Sequence, residues 1–349
     1  MSRCLRPFAA PLWVSVCLAA LLGACSNPAQ QPADEAPAFG TPMPADEWFY
    51  EPVVVQRFEV QRTGPADQPA YFLRVYAELG AQGVVPLRPS SLDHLAYLRQ
   101  EVFPALVGKD IRDLRAATDA IALPADPGRR VALAHVECVL LDLLGMVAGR
   151  PAMSYFAPLL RKEVEVLLDL PDTSAAPGAY LDTLAAQLRG SDIQYLMLDL
   201  RPAARQTPDF LMQARAQFPA PYRFLLRGPA DTAALRIAGL PQPDDTALVW
   251  LDMLALGGPS RLVDTLRSLA PDTRLGVVAY PGPQQAMALQ VAAFLPTTPA
   301  FVAYQPDDQL AGRYVPMLRP VLGRLPVPAG AGWGLGYDTR LWIEAQVMP

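Results

Sequence analysis

A chain of 349 residues that is 52% hydrophobic and only 18% charged can bury a sizeable core, which excludes an intrinsically disordered protein and leaves one large domain or two smaller ones. The formal net charge is -5 and the Lys and Arg residues form no stripe along the chain, which argues against nucleic acid or anionic lipid headgroups as partners. Proline is abundant at 38 residues and concentrates between the apolar runs, where it stiffens loops.

The N-terminal 24 residues carry Arg3 and Arg6 ahead of an apolar stretch from Leu12 to Leu22, the layout of a signal peptide. The tetrad Leu22-Gly23-Ala24-Cys25 resembles the bacterial lipobox. That resemblance implies cleavage before Cys25, a lipid on its thiol and, with Ser26 following, transport to the outer membrane on its periplasmic face. Residues 25–47 are rich in Pro, Ala and Gln without a hydrophobic period, as in a disordered tether. On that resemblance Cys4 and Cys17 leave with the signal and Cys25 is the expected lipidation site. Cys138 then remains alone, inside an apolar helical run, as a structural thiol.

Folding is expected to start near Trp48. Two alternating runs, EPVVVQRFEVQR and AYFLRVYAEL, flank TGPADQ as a hairpin. Helical segments follow at 91–108 and 111–121. The strongest helix is RRVALAHVECVLLDLLGMVAGR, with Leu133, Val136, Leu140, Leu144 and Val147 on one face and Gly149 then Pro151 at its end. Beyond Arg161 short apolar strands alternate with helices: EVEVLLDL, IQYLMLDL, YRFLLRG, ALVWLDM, RLGVVAY and AFVAY, with a short helix TAALRIAGL among the connections. Such alternation predicts a parallel sheet with right-handed crossovers. Six strands fall short of the eight that close a full barrel.

Four stretches together resemble the enolase superfamily in its mandelate racemase and muconate lactonizing branch. ALAHVECVLLDLLGMVAGRP is similar to the cap-domain helix, LDMLALGGPSRLVDTLRSLA to a late barrel strand with its Gly-Gly turn, ALQVAAFLPTTPAFVAY to the last barrel helix and strand, and VPAGAGWGLGYD to the return into the cap. The resemblance implies an α/β fold, a truncated or incomplete (β/α) barrel with an α+β capping domain. Its divisions are a cap over 48–160, a degenerate barrel over 161–315 and a C-terminal return over 316–349.

The chemistry of that family places Mg²⁺ on three strand-end carboxylates, with a Lys-x-Lys pair and a His-Asp dyad as bases. Residue by residue, Lys-x-Lys falls on Met197-Leu198-Asp199, the first metal carboxylate on Arg227, the dyad Asp on Asp252 and its His on Tyr280. The two remaining ligand strands have no counterpart, and His94 and His135 both belong to the cap. The resemblance therefore implies a pseudoenzyme with no catalytic residue, no metal and no cofactor.

Asp199 and Arg227, at adjacent strand ends, are expected to pair with each other. Glu137 and Asp142, five apart on the cap helix, are expected to be structural contacts, and GWGLG a tight turn. Three uses remain open: a non-catalytic envelope scaffold that binds a protein partner or a second copy across the missing strands; a binding module for a small carboxylate or phosphate, with Arg201 and Arg227 at the mouth; and a divergent enzyme resting on Asp252 and Tyr280.

Overall fold

The computed structural model describes residues 48–348, apart from 66, 68, 79, 171–175, 228–234, 237, 241–247, 271–272, 296–299, 305–309 and 311. The signal and tether segments, including Cys25, lie outside the described residues, as do residues 232–234 and 237 of TAALRIAGL. Residues 39–349 form one compact unit.

The chain first builds an antiparallel sheet from β1 (Val55–Thr63), β2 (Ala70–Ala77) and β3 (Gln82–Leu87). The hairpin follows the alternating pattern expected of it. The third strand gives no such signal, because Pro86 interrupts the run. Proline cannot donate to a ladder, and β3 tolerates it as the edge of the sheet order β13-β1-β2-β3. Residues 89–106 coil through 3-10, α and π turns, and α1 (Leu114–Asp119) follows with the Asp113 carboxylate capping the Ala116 N–H.

Helix α2 (Pro127–Ala148) packs on β2 and β3. Asp126 accepts from the Arg129 N–H at its start, Pro127 sits in its first turn and Gly149, at φ 65°, ends it. Among the described residues it alone is long and apolar enough to cross a membrane, but 78% of that apolar window is buried, so it is the core helix of the cap. Cys138 is fully buried on it, with its thiol pushed well above the ordinary value by burial, as expected of a structural cysteine.

The second half alternates strand and helix: β4 (Glu163–Leu168), α3 (Pro177–Leu188), β5 (Tyr195–Asp199), α4 (Pro208–Gln217), β6 (Arg223–Arg227), β7 (Val249–Leu251), α5 (Met253–Leu256), α6 (Pro259–Ser268), β8 (Leu275–Val277), α7 (Gln285–Phe294) and β9 (Ala300–Tyr304). All six strands expected from the sequence form one parallel sheet in the order β6-β5-β4-β9-β8-β7. It is a half-barrel: β6 and β7 end the sheet and do not pair with each other among the described residues.

The C-terminal segment contributes β10 (Tyr314–Val315), β11 (Arg324–Pro326), β12 (Gly336–Tyr337), α8 (Thr339–Ile343) and β13 (Gln346–Val347). Strand β11 lies antiparallel against the start of β4, and β13 returns to β1. The fold is thus α/β, a parallel half-barrel with an antiparallel capping sheet, sharing one hydrophobic core from Trp48 to Trp333.

Candidate functional site

Because strand side chains alternate faces, one parity of the half-barrel points inward. Leu167, Met197, Leu225 and Phe301 cluster there, with Tyr195, Leu248 and Trp250 packed against them. The Trp250 indole lies flat over Gly276, where any Cβ would stand 2.8 Å from the ring. Met197, which holds a lysine position in the resemblance, is therefore part of an apolar filling.

Two residues further along the strands, the same parity brings Asp169, Asp199, Arg227 and Asp252 to the C-terminal mouth. This layer is where the sequence placed its candidates, and it is built differently from the expectation. Asp199 and Arg227 are register partners on β5 and β6, yet they do not form the expected pair. Asp199, with no exposed side-chain surface, is held in a fork by Arg201, from Nε at 2.8 Å and Nη2 at 2.6 Å, and also accepts the Arg201 N–H at 3.1 Å. Burial alone would raise the Asp199 pKa; the Arg201 guanidinium and N–H outweigh it and hold the carboxyl below its ordinary value.

Arg227 reaches past β5 to the end of β4, where its Nη1 and Nη2 meet the Asp169 carboxylate at 3.2 and 2.7 Å. Strands are spaced by about 4.8 Å, so only a side chain of arginine's length can span two of them. Arg201, two residues on, closes both arms of its fork on Asp199, and Arg227 is left to Asp169. Arg201 and Arg227, the pair read as an anion site, are both neutralised by these carboxylates.

Asp252 and Tyr280 do meet. Tyr280 donates from its hydroxyl to Asp252 Oδ2 at 2.6 Å, while Oδ1 accepts the Leu254 and Ala255 N–H groups and so caps α5. The Arg88 guanidinium lies over the Tyr280 ring at 4.3 Å. Burial, then the Asp252 charge and hydrogen bond, push the Tyr280 hydroxyl well above its ordinary pKa, so it stays a donor. Between Arg88 and Tyr280 opens a cleft of about 340 Å³, bordered also by Tyr71, Leu87 and Leu310.

The cap carboxylates serve as docking points. Glu137 accepts the Ser260 N–H at 2.8 Å, at the first turn of α6, and Asp142 accepts the Val84 and Trp333 N–H groups at 2.7 Å each. Close approach depends on glycine: a Cβ on Gly258 would lie 2.0 Å from Glu137 and one on Gly332 2.2 Å from Asp142. GWGLG is accordingly the turn that seats Trp333 on Asp142. Burial raises both carboxyls to about 7. His135, fully buried on α2, donates from Nδ1 to the Val131 carbonyl, and burial lowers it to about 4.

Asp169 was missed in the sequence and Arg88 was not singled out. The signal for Asp169 was a recurrence: Leu168-Asp169-Leu170 and Leu198-Asp199-Leu200 close successive strands with the same tripeptide.

No protein-family model and no curated protein sequence matches the chain. Solved structures match its fold. A mandelate racemase/muconate lactonizing protein from Paracoccus denitrificans, complexed with magnesium, superposes with a TM-score of 0.64 at 14% identity, over 85% of this chain and 99% of its own. L-Talarate dehydratase from Polaromonas sp., complexed with Mg and L-glucarate, gives 0.62 at 14%, over 85% and 99%. The 3,6-anhydro-D-galactonate cycloisomerase from Zobellia galactanivorans gives 0.62 at 12%, over 84% and 99%.

The described residues of this chain do not fit a magnesium ion. No three His, Cys, Asp or Glu side chains gather at one point among them. The carboxylates nearest the mouth are committed to Arg201, to Arg227, or to a helix cap and a tyrosine. In architecture, the chain has the enolase-superfamily fold of the mandelate racemase and muconate lactonizing type.

Proposed function

We infer that this chain is a lipid-anchored protein of the bacterial envelope whose enolase-type fold serves as a non-catalytic scaffold. The reading rests on one observation above all: the strand-end charges already have partners within the chain, Asp199 with Arg201, Arg227 with Asp169, and Asp252 with Tyr280 and the start of α5. A buried carboxylate in a bidentate guanidinium fork has its charge compensated and both oxygens engaged, so a cation would have to compete with the guanidinium for it. Val315, Val321, Leu322, Ile343 and Val347 of the C-terminal segment expose aliphatic side chains, apolar surface that a protein partner or a second copy could cover.

Two assays test this. The chain and its Cys25→Ser variant are fractionated after palmitate labelling: label and outer-membrane location are expected for the first and lost in the second, and an unlabelled, freely soluble parent protein would overturn the anchoring. Proton exchange at the carbon next to the carboxylate is followed by NMR in D₂O with Mg²⁺, using L-glucarate and related sugar acids. No exchange above buffer is expected, and exchange would overturn the non-catalytic reading.

The cleft under Arg88 favours a second reading, a binding module for a small carboxylate or phosphate. Arg88 then takes the place that Arg201 and Arg227 cannot fill. Retention of such an anion by the parent protein and its loss in Arg88→Ala would establish it.

A further inference from the structure

At the end of the half-barrel away from the mouth, a second cleft of about 520 Å³ lies beside the start of β4. Its wall is mostly apolar, including Pro158, Leu159 and Val327, and three cationic residues line it: Arg150, Arg161 and Lys162. None of its lining residues is acidic, although acidic residues outnumber basic ones in the chain, 34 to 29.

The three cations come from two loops that the fold brings together. Arg150 follows the end of α2 and stacks over the Trp48 ring at 5.2 Å. Arg161 is pinned at the end of α7, where its Nη1 donates to the Ala292 and Leu295 carbonyls. Lys162 is exposed, and its carbonyl accepts the Val327 N–H, which fixes the backbone at the cleft wall. Among the described residues neither Arg150 nor Lys162 forms an ion pair, whereas Glu163 and Glu165 alongside both face Arg324.

We propose that this cleft binds an anionic single-chain amphiphile, with its carboxylate or phosphate between Arg150, Arg161 and Lys162 and its alkyl chain along Leu159 and Val327. The volume lies inside the roughly 300–1,000 Å³ of small-molecule sites, and an apolar wall with a few convergent charges is how such sites orient a ligand. A neutral apolar ligand would leave Arg150 and Lys162 without a counterion, and a small hydrophilic anion would leave the wall wet. The site is separate from the mouth and does not depend on the scaffold reading.

The test is calorimetric titration of residues 39–349, which hold the whole described core, with octanoate below its micelle threshold. Saturable one-to-one binding is expected, at least tenfold weaker for octanol and for inorganic phosphate, and weakening as NaCl is raised. The double variant Arg150→Glu with Lys162→Glu should lose at least tenfold, and Arg88→Ala should be unaffected. Equal affinity for octanol, indifference to salt, or no binding at millimolar octanoate would each overturn the proposal, and the salt arm reads the parent protein even if the variant fails to fold. Co-sedimentation with phosphatidylglycerol but not phosphatidylcholine vesicles would identify the source of the anion as a lipid headgroup; octanoate binding without vesicle binding would identify it as a free amphiphile.

Discussion

Removal of the Arg227 guanidinium probes how the mouth is held together. The pair it forms with Asp169 is largely dry, with side-chain exposures of 21% and 5%. In Arg227→Ala the buried Asp169 carboxylate stays at the mouth with its fork gone. Breaking a buried pair by deleting one partner costs about 3–5 kcal/mol, and the partial exposure of Arg227 places this pair at about 3 kcal/mol. Asp169→Asn alone should cost less, because the amide can still accept one guanidinium bond. The double variant should be more stable than the sum of the single losses implies, with a coupling of about 1.5 kcal/mol or more. Urea unfolding of residues 39–349, followed by far-UV circular dichroism, measures all four species. A loss under about 1 kcal/mol in Arg227→Ala, the range of exposed ion pairs, would refute the claim that the mouth is closed by a desolvated charge pair.

The cap carries an unusual pH signature. Burial raises Glu137 and Asp142 to about 7 from ordinary values of 4.5 and 3.8, so the folded state keeps protons that the unfolded chain releases as pH climbs from about 4 to 7, and stability falls through that window. His135, lowered to about 4 from 6.5, acts oppositely, since the unfolded chain takes its proton first as pH drops below 6.5. Two carboxyls outweigh one imidazole. The melting temperature is therefore expected to fall from pH 5 to pH 8, and to fall less in Glu137→Gln with Asp142→Asn; a rise over that interval in the parent protein contradicts the assignment. Gly258→Ala, which forces a Cβ to 2.0 Å from Glu137 at φ 127°, should cost about 2 kcal/mol or more by thermal melting. Tyr280→Phe, which removes the 2.6 Å bond to Asp252, should cost about 1–2 kcal/mol and leave α5 capped, an outcome read by the same melts.

Much of the architecture was legible because it rests on periodicity. The half-barrel strands are short apolar runs bounded by Pro and Gly, and α2 carries an Asp cap, a first-turn Pro and a terminal Gly. Strand β3 was illegible because Pro86 reads as a breaker unless the strand is known to be an edge. The short strands β10 to β13 carry no period at all and exist through partners distant in sequence. At the site, alternation sufficed to put Asp199, Arg227 and Asp252 at strand ends, and the resemblance sufficed to join Asp252 to Tyr280. Partner choice was another matter. Asp199 and Arg227 sit side by side in register, yet a local fork from Arg201 and the reach of Arg227 across two strands decide the outcome, and neither is visible without side-chain geometry. The basic cleft was hidden for the same reason: Arg150 is separated by ten residues from Arg161 and Lys162, and only the fold makes them one patch.

Among the described residues each carboxylate at the mouth has a partner within the chain, which leaves a divalent cation no uncommitted ligand set there. Calorimetric titration of Mg²⁺ and Mn²⁺ into residues 39–349 measures this most directly. The expected result is no binding heat up to millimolar metal. Tight one-to-one binding would contradict it, and would mean that Asp169, Asp199 or Asp252 leaves its present partner to become a ligand.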